Sequence, residues 1–279
     1  MFLLFKMVGY CVKSMSKLLC SMLLLLFVLQ LCASCSSSAV VRRPMVIAHR
    51  GGAALAPENT LLSLQCGIEA GADMLEVDVR CTADGYLVLM HDSRLERTTN
   101  GRGCVAELSY DSIASLSIVD AVGNVTSLRV PTLDEALEFV AGRCGLLIEV
   151  KGGAVSGVEQ LVIDVIRKHN AEGWVAVQSF SDDVLERFWL LGAAFPLEKL
   201  IVFKFPLLPY IYDGGIRRFD VARYSHISSF NINRKFTTCR LVEKLHGAGK
   251  YVKVWTFKGG AGGFSLPVDA VITDSPHLW

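Results

Sequence analysis

The sequence predicts an α/β fold, a (β/α)8 barrel with a degenerate C-terminal end. Three observations predict it. Between Met45 and Ile272, short apolar runs alternate with amphipathic stretches, the pattern of parallel βα units, and eight such runs can be read. The 279 residues are 52% hydrophobic, enough for a large core, and a closed eight-stranded barrel usually takes about 250 residues. Residues able to do acid–base or ligand chemistry fall at the ends of the runs, which meet on one face of a parallel barrel.

The elements follow in order. Met45–Ala48 reads as a buried strand. Asn59 reads as an N-cap, with Leu61, Leu64 and Ile68 at helical spacing until Gly71. Residues 74–79 form the second strand. Asp84-Gly85 is a turn signal, and 86–90 continue extended. Residues 94–130 are polar and irregular, and Pro131-Thr132-Leu133-Asp134-Glu135 opens the next helix. Residues 146–150 are the third strand and 158–169 a helix. Residues 174–178 are the fourth strand, and Ser181-Asp182-Asp183 starts the fourth helix. Residues 200–203, 227–230, 251–257 and 268–272 supply strands five to eight, with a helix over 237–248.

The end is where the pattern degenerates. Gly259-Gly260-Ala261-Gly262-Gly263 stands where most of helix seven belongs, and helix eight is missing after Thr273-Asp274-Ser275-Pro276. These glycines lack phosphate-loop spacing, so they read as a flexible connection.

The first forty residues differ from the rest. Lys6, Lys13 and Lys17 precede an apolar stretch centred on Leu23-Leu24-Leu25-Leu26-Phe27-Val28, and Ser36-Ser37-Ser38 follows. This is the layout of a secretory signal, and Ala33-Ser34-Cys35 resembles the end of a lipoprotein box. Residues 18–41 carry no charge and are also long enough to span a bilayer of about 30 Å. Residues 1–40 are therefore expected to be a signal peptide or membrane anchor, and 44–279 the barrel. The chain is expected to be exported and membrane-tethered on the periplasmic or cell-surface side. A lipoprotein is placed before an anchor, and a soluble secreted form third.

A formal net charge of +1 and the lack of a basic stripe argue against a nucleic-acid partner. Cys66, Cys81, Cys104, Cys144 and Cys239 have no CxxC spacing and do not make a zinc signature. They read as small hydrophobes, with room for one disulfide.

Glu76 and Asp78 sit at i and i+2 inside an apolar run, so on a strand both carboxylates point the same way. Two buried like charges are costly without a cation between them, and Mg²⁺ or Ca²⁺ suits hard oxygen donors. His49 ends strand one, His91 the extension after strand two, Glu149 and Lys151 strand three, and Trp255 strand seven. Simpler readings stand beside these. A histidine at a strand end is often structural, and Glu149 with Lys151 makes an ordinary i, i+2 ion pair. Glu58 reads as an acid favouring the first helix N-terminus, with a supporting role beside the site as the alternative, and Trp255 reads equally as core.

The order His49-Arg50-Gly51, Pro57-Glu58-Asn59-Thr60, Glu76-Val77-Asp78-Val79, Thr82-x-Asp84-Gly85 and His91-Asp92 is distinctive. It continues through Arg97-Thr98-Thr99-Asn100-Gly101, Ile148-Glu149-Val150-Lys151, Ser179-Phe180, Val254-Trp255-Thr256 and Ile272-Thr273-Asp274-x-Pro276. Together these closely resemble the glycerophosphodiester phosphodiesterase family. The resemblance implies a TIM barrel that hydrolyses a small-molecule glycerophosphodiester to an alcohol and glycerol 3-phosphate with a divalent metal. It implies Glu76, Asp78 and Glu149 as metal ligands and His49 and His91 as the acid–base pair. Arg50 and Lys151 would contact phosphate, and Trp255 would wall the substrate pocket. Phe257-Lys258 departs from the family's usual aliphatic-Asn continuation, which bears on that wall and not on the metal site.

Two other functions compete. One is the same chemistry on a membrane lipid, as in a lysophospholipase D or a phosphatidylinositol-type phospholipase C; an apolar rim facing the pocket would favour it. The other is an inactive, surface-anchored binding barrel, which would lack a ligand or a histidine.

Overall fold

Eight parallel strands close on themselves in sequence order. They are β1 (Met45–Ala48), β2 (Met74–Cys81), β3 (Gly145–Val150), β4 (Val175–Ser179), β5 (Leu197–Ile201), β6 (Ser229–Asn233), β7 (Tyr251–Phe257) and β8 (Ala270–Thr273). β1 pairs with β8 on one side and β2 on the other, which completes the barrel. This computed structural model describes residues 43–152, 155–205, 208, 210–262 and 264–279, which form one unit from Pro44 to Trp279. The expected leader lies outside the described residues.

Five helices pack outside the barrel: α1 (Leu61–Glu69), α2 (Leu133–Val140), α3 (Val158–Lys168), α4 (Asp182–Leu190) and α5 (Cys239–Gly247). Outward residues of the strands, such as Leu75, Val77 and Val79 of β2, join the core that these helices cover. Thr60 caps α1 through a capping box with Ser63, not Asn59 as the sequence predicts. Asn59 is turned away, in the left-handed region at φ 56°, and bonds to Asp78.

The barrel interior is layered. Ile47, Leu147, Ala176, Ala270 and Ile272, with Met74 and Trp255 against them, form an apolar plug. Beside it lies a buried polar chain. Lys253 Nζ donates to Glu198 at 2.7 Å, and Asn231 Nδ2 donates to Glu198 at 2.8 Å and to Gln178 at 2.7 Å. Gln178 Nε2 in turn donates to Glu76 at 3.3 Å. These polar residues explain why strands five and six run over 197–201 and 229–233 and not 200–203 and 227–230. Glu198, Lys199 and Asn231 are buried in strands and break the apolar run there. Strand eight likewise runs over 270–273 and not 268–272.

Two excursions sit on the C-terminal side of the strands. Residues 94–130 carry a short helix (Tyr110–Ala114) and an apolar cluster of their own, built on Leu95, Ile113, Ile118 and Val130. After β5, in place of a helix, comes a three-stranded antiparallel sheet, Phe203–Lys204, Tyr210–Tyr212 and Ile216–Arg218, which the sequence does not announce. Lys199 anchors it. Its side chain is 0% exposed and its Nζ meets Asp213 at 2.7 Å and Asp182 at 2.9 Å.

Between β7 and β8 the described residues carry no helix, and Pro276–Leu278 form a 3-10 turn after β8. Phe257, Phe264 and Trp279 cover this side with mutually edge-on rings, and Trp279 Nε1 donates to Gly259 O at 3.0 Å. The five cysteines among the described residues are free, so the allowance for a disulfide is not met there.

Candidate active site

The site grows from strand register. β2 and β3 pair so that Asp78 lies beside Glu149, and Glu76 and Asp78 share the inward face of β2. One carboxylate oxygen from each of Glu76, Asp78 and Glu149 lies within 4.8 Å of the other two, and all three residues are buried. Two oxygens bound to one cation at the 2.3–2.6 Å of a Ca–O bond stand at most about 5 Å apart, so the spacing suits a shared ion.

The turn after β1 supplies the next groups. His49–Gly51 form a single 3-10 turn in which Arg50 takes φ 51° and Gly51 φ 83°. A side chain at Gly51 would put its Cβ 2.4 Å from Ser63 Oγ, so only glycine fits. This turn aims the Arg50 backbone N–H at Glu76 Oε2, 2.8 Å away. Such strain in a non-glycine residue is typical of functional turns. The Arg50 guanidinium reaches Asp78 at 3.4 Å and Glu58 at 2.8 Å.

Each imidazole is held at Nδ1. His49 Nδ1 bonds Asp274 at 2.6 Å, and its Nε2 stands 4.0 Å from Glu76. His91 Nδ1 bonds Asp92 at 2.7 Å. Lys151 Nζ sits between Asp78, at 2.6 Å, and Glu149. The plain ion pair read from the sequence is therefore present, and it includes Asp78 as well.

Burial and neighbours set the charges. Burial, with the charges of Asp78 and Glu149, pushes Glu76 up to about 7 against the pull of His49. Burial would raise Asp78 too, but Lys151, His91 and Arg50 hold it well below the usual carboxylate range. Burial raises Glu149, opposed by Lys151. Burial and the cations Lys151 and Arg50 bring His91 below its ordinary value despite Asp78 and Asp92. For His49, burial is outweighed by Asp274 and Glu76, and its pKa rises.

A cavity of ≈ 150 Å³ opens here, lined by seven of the eight residues singled out from the sequence: His49, Arg50, Glu76, His91, Glu149, Lys151 and Trp255. Asp78, the eighth, lies beneath it, 0% exposed. Trp255 serves both of its readings. It packs against the interior plug and walls the cavity edge-on to Phe180 at 5.8 Å, with Nε1 donating to Asn231 O.

For Glu58 the structure favours the supporting role over the helix-end reading: it bridges Arg50 and Arg97. Sequence reasoning assigned no role to Asp274, Asp92, Arg97 or Gln178. The first three lie inside the quoted motifs. Gln178 announces itself only as a polar residue closing an apolar run.

The comparisons agree with this geometry. The sequence model of the glycerophosphoryl diester phosphodiesterase family matches residues 49–278. The glycerophosphodiester phosphodiesterase of Bacillus altitudinis is 31% identical over 242 residues, 83% of this chain and 94% of that one. Among solved structures, glycerophosphodiester phosphodiesterase from Agrobacterium tumefaciens superposes with a TM-score of 0.68 at 27% identity, covering 84% of this chain and 98% of that one. An Oleispira antarctica phosphodiesterase in complex with the product sn-glycerol-3-phosphate gives 0.69 at 25% identity, over 84% and 94%. A closed parallel barrel, a buried carboxylate triad at one end of its strands and a family match over the same residues lead to one conclusion: the chain belongs to the glycerophosphoryl diester phosphodiesterase family and is a phosphoric diester hydrolase.

Proposed function

We propose that the protein hydrolyses glycerophosphodiesters to an alcohol and sn-glycerol 3-phosphate, with one divalent cation, Mg²⁺ or Ca²⁺. The observation that carries this is the meeting of Glu76, Asp78 and Glu149 within 4.8 Å, between two histidines oriented by carboxylates.

The residues fit a cation. All three are hard oxygen donors, and burial with the charges of Asp78 and Glu149 pushes Glu76 up to about 7, a cost that a cation would relieve. Lys151 already places a positive charge between two of them. Glu76, Asp78 and Glu149 would hold the ion, which when bound neutralises a non-bridging phosphoryl oxygen as a Lewis acid.

The chain's own groups do the rest. Arg50 and Lys151 bind phosphoryl oxygens and stabilise charge that builds up as the bond to phosphorus forms. Burial and the nearby cations lower the pKa of His91 and so favour its neutral form; we take it as the base, and Asp92 fixes which nitrogen faces the cavity. His49 then gives the leaving alcohol its proton, with Asp274 holding the ring. The same base serves water or the substrate's own glycerol 2-hydroxyl. Trp255 and Phe180 wall the carbon skeleton.

The lipid-cleaving alternative gains no support. The hairpin residues that face the active-site mouth are Asp213, Gly214, Gly215 and Arg217, a polar rim. The binding-only alternative is not favoured either, since each ligand and both histidines stand in place.

We also take residues 1–40 as the export signal and tether, and 44–279 as the catalytic domain, on the strength of Lys6, Lys13 and Lys17 ahead of the Leu-rich run and Cys35. Mass spectrometry of the mature N-terminus tests this. A diacylglyceryl Cys35 or an intact N-terminus in the membrane fraction supports it, and recovery with the cytoplasm contradicts it.

The activity is tested with the full chain and glycerophosphocholine, with and without EDTA, by measuring glycerol 3-phosphate. Release that EDTA abolishes is the expected result. No release with Mg²⁺ or Ca²⁺ present overturns the reading.

A further inference from the structure

A phosphodiester has two arms, and the site described above accounts for one. The inner cavity is walled by Phe180, Leu200 and Trp255 and, on the reading above, would take the glycerol side of the phosphate. A second cavity of ≈ 340 Å³ adjoins it and shares Glu149, Lys151 and Phe180 with it. From Lys151 it passes Arg80, on the inward face of β2 two residues after Asp78, and ends at the hairpin turn from Asp213 to Arg217. An alcohol leaving from a phosphate held at Lys151 has this cavity on its far side.

The chemistry of the outer cavity differs from that of the inner one. Arg80 donates through Nε and Nη2 to His91 O, at 3.0 and 2.8 Å, which leaves Nη1 to face the cavity. Arg217, 46% exposed, contacts Asp213 at 3.3 Å and Asp182 at 3.9 Å. Those two acids are also the partners of Lys199, so two acids face two cations there. Glu149 is paired with Lys151. Arg80 feels the charges of Asp78, Glu149 and Asp92 but, among the described residues, makes no direct ion pair with them.

Aromatic rings suited to a quaternary ammonium are sparse. Phe180 is the one ring in the lining. The hairpin has others, but its register keeps them away. Tyr210 pairs with Arg218 and Tyr212 with Ile216, on one face, while Arg217 pairs with the buried Ile211 on the other. The turn thus offers the cavity two glycines, the Arg217 guanidinium and Asp213, whose carboxylate is paired with Lys199 and Arg217.

Resting on the reading of the active site above, we propose that this outer cavity is the subsite of the leaving alcohol, and that Arg80 and Arg217 make it favour alcohols bearing an anionic group over those bearing a quaternary ammonium. Neither arginine touches the reacting atoms, so both set specificity.

The test uses the full chain with its divalent cation and two substrates, glycerophosphoinositol 4-phosphate and glycerophosphocholine. The wild type is expected to favour the first in kcat/KM by about tenfold or more, a preference that shrinks with added salt. Arg217→Ala and Arg80→Gln are each expected to reduce the ratio several-fold, and Arg217→Lys to keep most of it. A common loss on both substrates leaves the ratio untouched, so damage to His91 through Arg80 does not imitate the effect. An unchanged ratio in Arg217→Ala and Arg80→Gln overturns the proposal, as does an equal loss on both substrates in Arg217→Ala and Arg217→Lys. Release from neither substrate by the wild type would instead overturn the glycerophosphodiesterase reading itself.

Discussion

Arg97 and Glu58 form a two-bonded pair, Nη1 to Oε2 at 2.9 Å and Nη2 to Oε1 at 2.8 Å, across 39 residues of sequence. The pair closes a chain of alternating charges. Arg97 Nε also bonds Asp92 at 2.6 Å, Asp92 bonds His91, and Glu58 bonds Arg50. One exposed guanidinium thus links the proposed base to the proposed phosphate-binding arm.

Arg97→Ala is expected to lower kcat by about tenfold or more, because small misplacements of catalytic groups are costly and both ends of the chain lose their brace. Arg97→Lys should recover part of it, since a lysine cannot bond Glu58 in two places and Asp92 as well. Stability should change little, as Arg97 is 47% exposed on its side chain. Steady-state kinetics with a parallel melting curve check this, and an unchanged kcat would remove Arg97 from the mechanism.

The pH profile has a defined direction. His91 lies below 6.5 because burial and two nearby cations outweigh the charge of Asp78 and the hydrogen bond of Asp92. As the base it must be neutral, so kcat/KM should rise through an apparent pKa below 6.5. Asp92 raises that pKa, so Asp92→Asn should move the limb to still lower pH. A shift of the limb to higher pH would contradict the assignment.

His49→Ala and His91→Ala should each lower kcat by about 10²–10⁴-fold, the usual contribution of general acid–base catalysis. Both should bind the divalent cation as the wild type does, because neither imidazole belongs to the carboxylate triad. Calorimetric titration with the metal separates the two effects. A variant with near wild-type kcat takes its histidine out of the reaction.

Much of this molecule was legible in its sequence, and the exceptions share a cause. Strand β7 was bounded correctly because Tyr251–Phe257 is flanked by glycine-containing turns and is largely apolar. β5 was displaced because Glu198 and Lys199 are buried charges, satisfied only by residues far along the chain, Lys253 and Asp213. The hairpin after β5 is not legible in the sequence because Pro206 and Pro209 break the run from Phe203 to Tyr212. In the site, the ligands and histidines were readable because their chemistry is unusual at strand ends. The roles of Glu58, Asn59 and Asp274 were not, since each depends on a partner that only the folded chain supplies: Arg97, Asp78 and His49.

The buried cation at the foot of the hairpin gives a stability prediction. Lys199→Met leaves Asp213, 1% exposed on its side chain, without its closest cation. Breaking one side of a buried pair typically costs about 3–5 kcal/mol, so the melting temperature should fall clearly. The double change Lys199→Met with Asp213→Leu should recover much of the loss. A single variant as stable as the wild type would show that the pair does not anchor the hairpin.

The most direct test of the account is the rate of glycerol 3-phosphate release as Mg²⁺ or Ca²⁺ is titrated into metal-stripped protein, wild type beside Glu76→Gln, Asp78→Asn and Glu149→Gln. The account predicts that the wild type saturates and that each variant stays inactive or needs far more metal. Variants that reach the wild-type rate at the same metal concentration would contradict it.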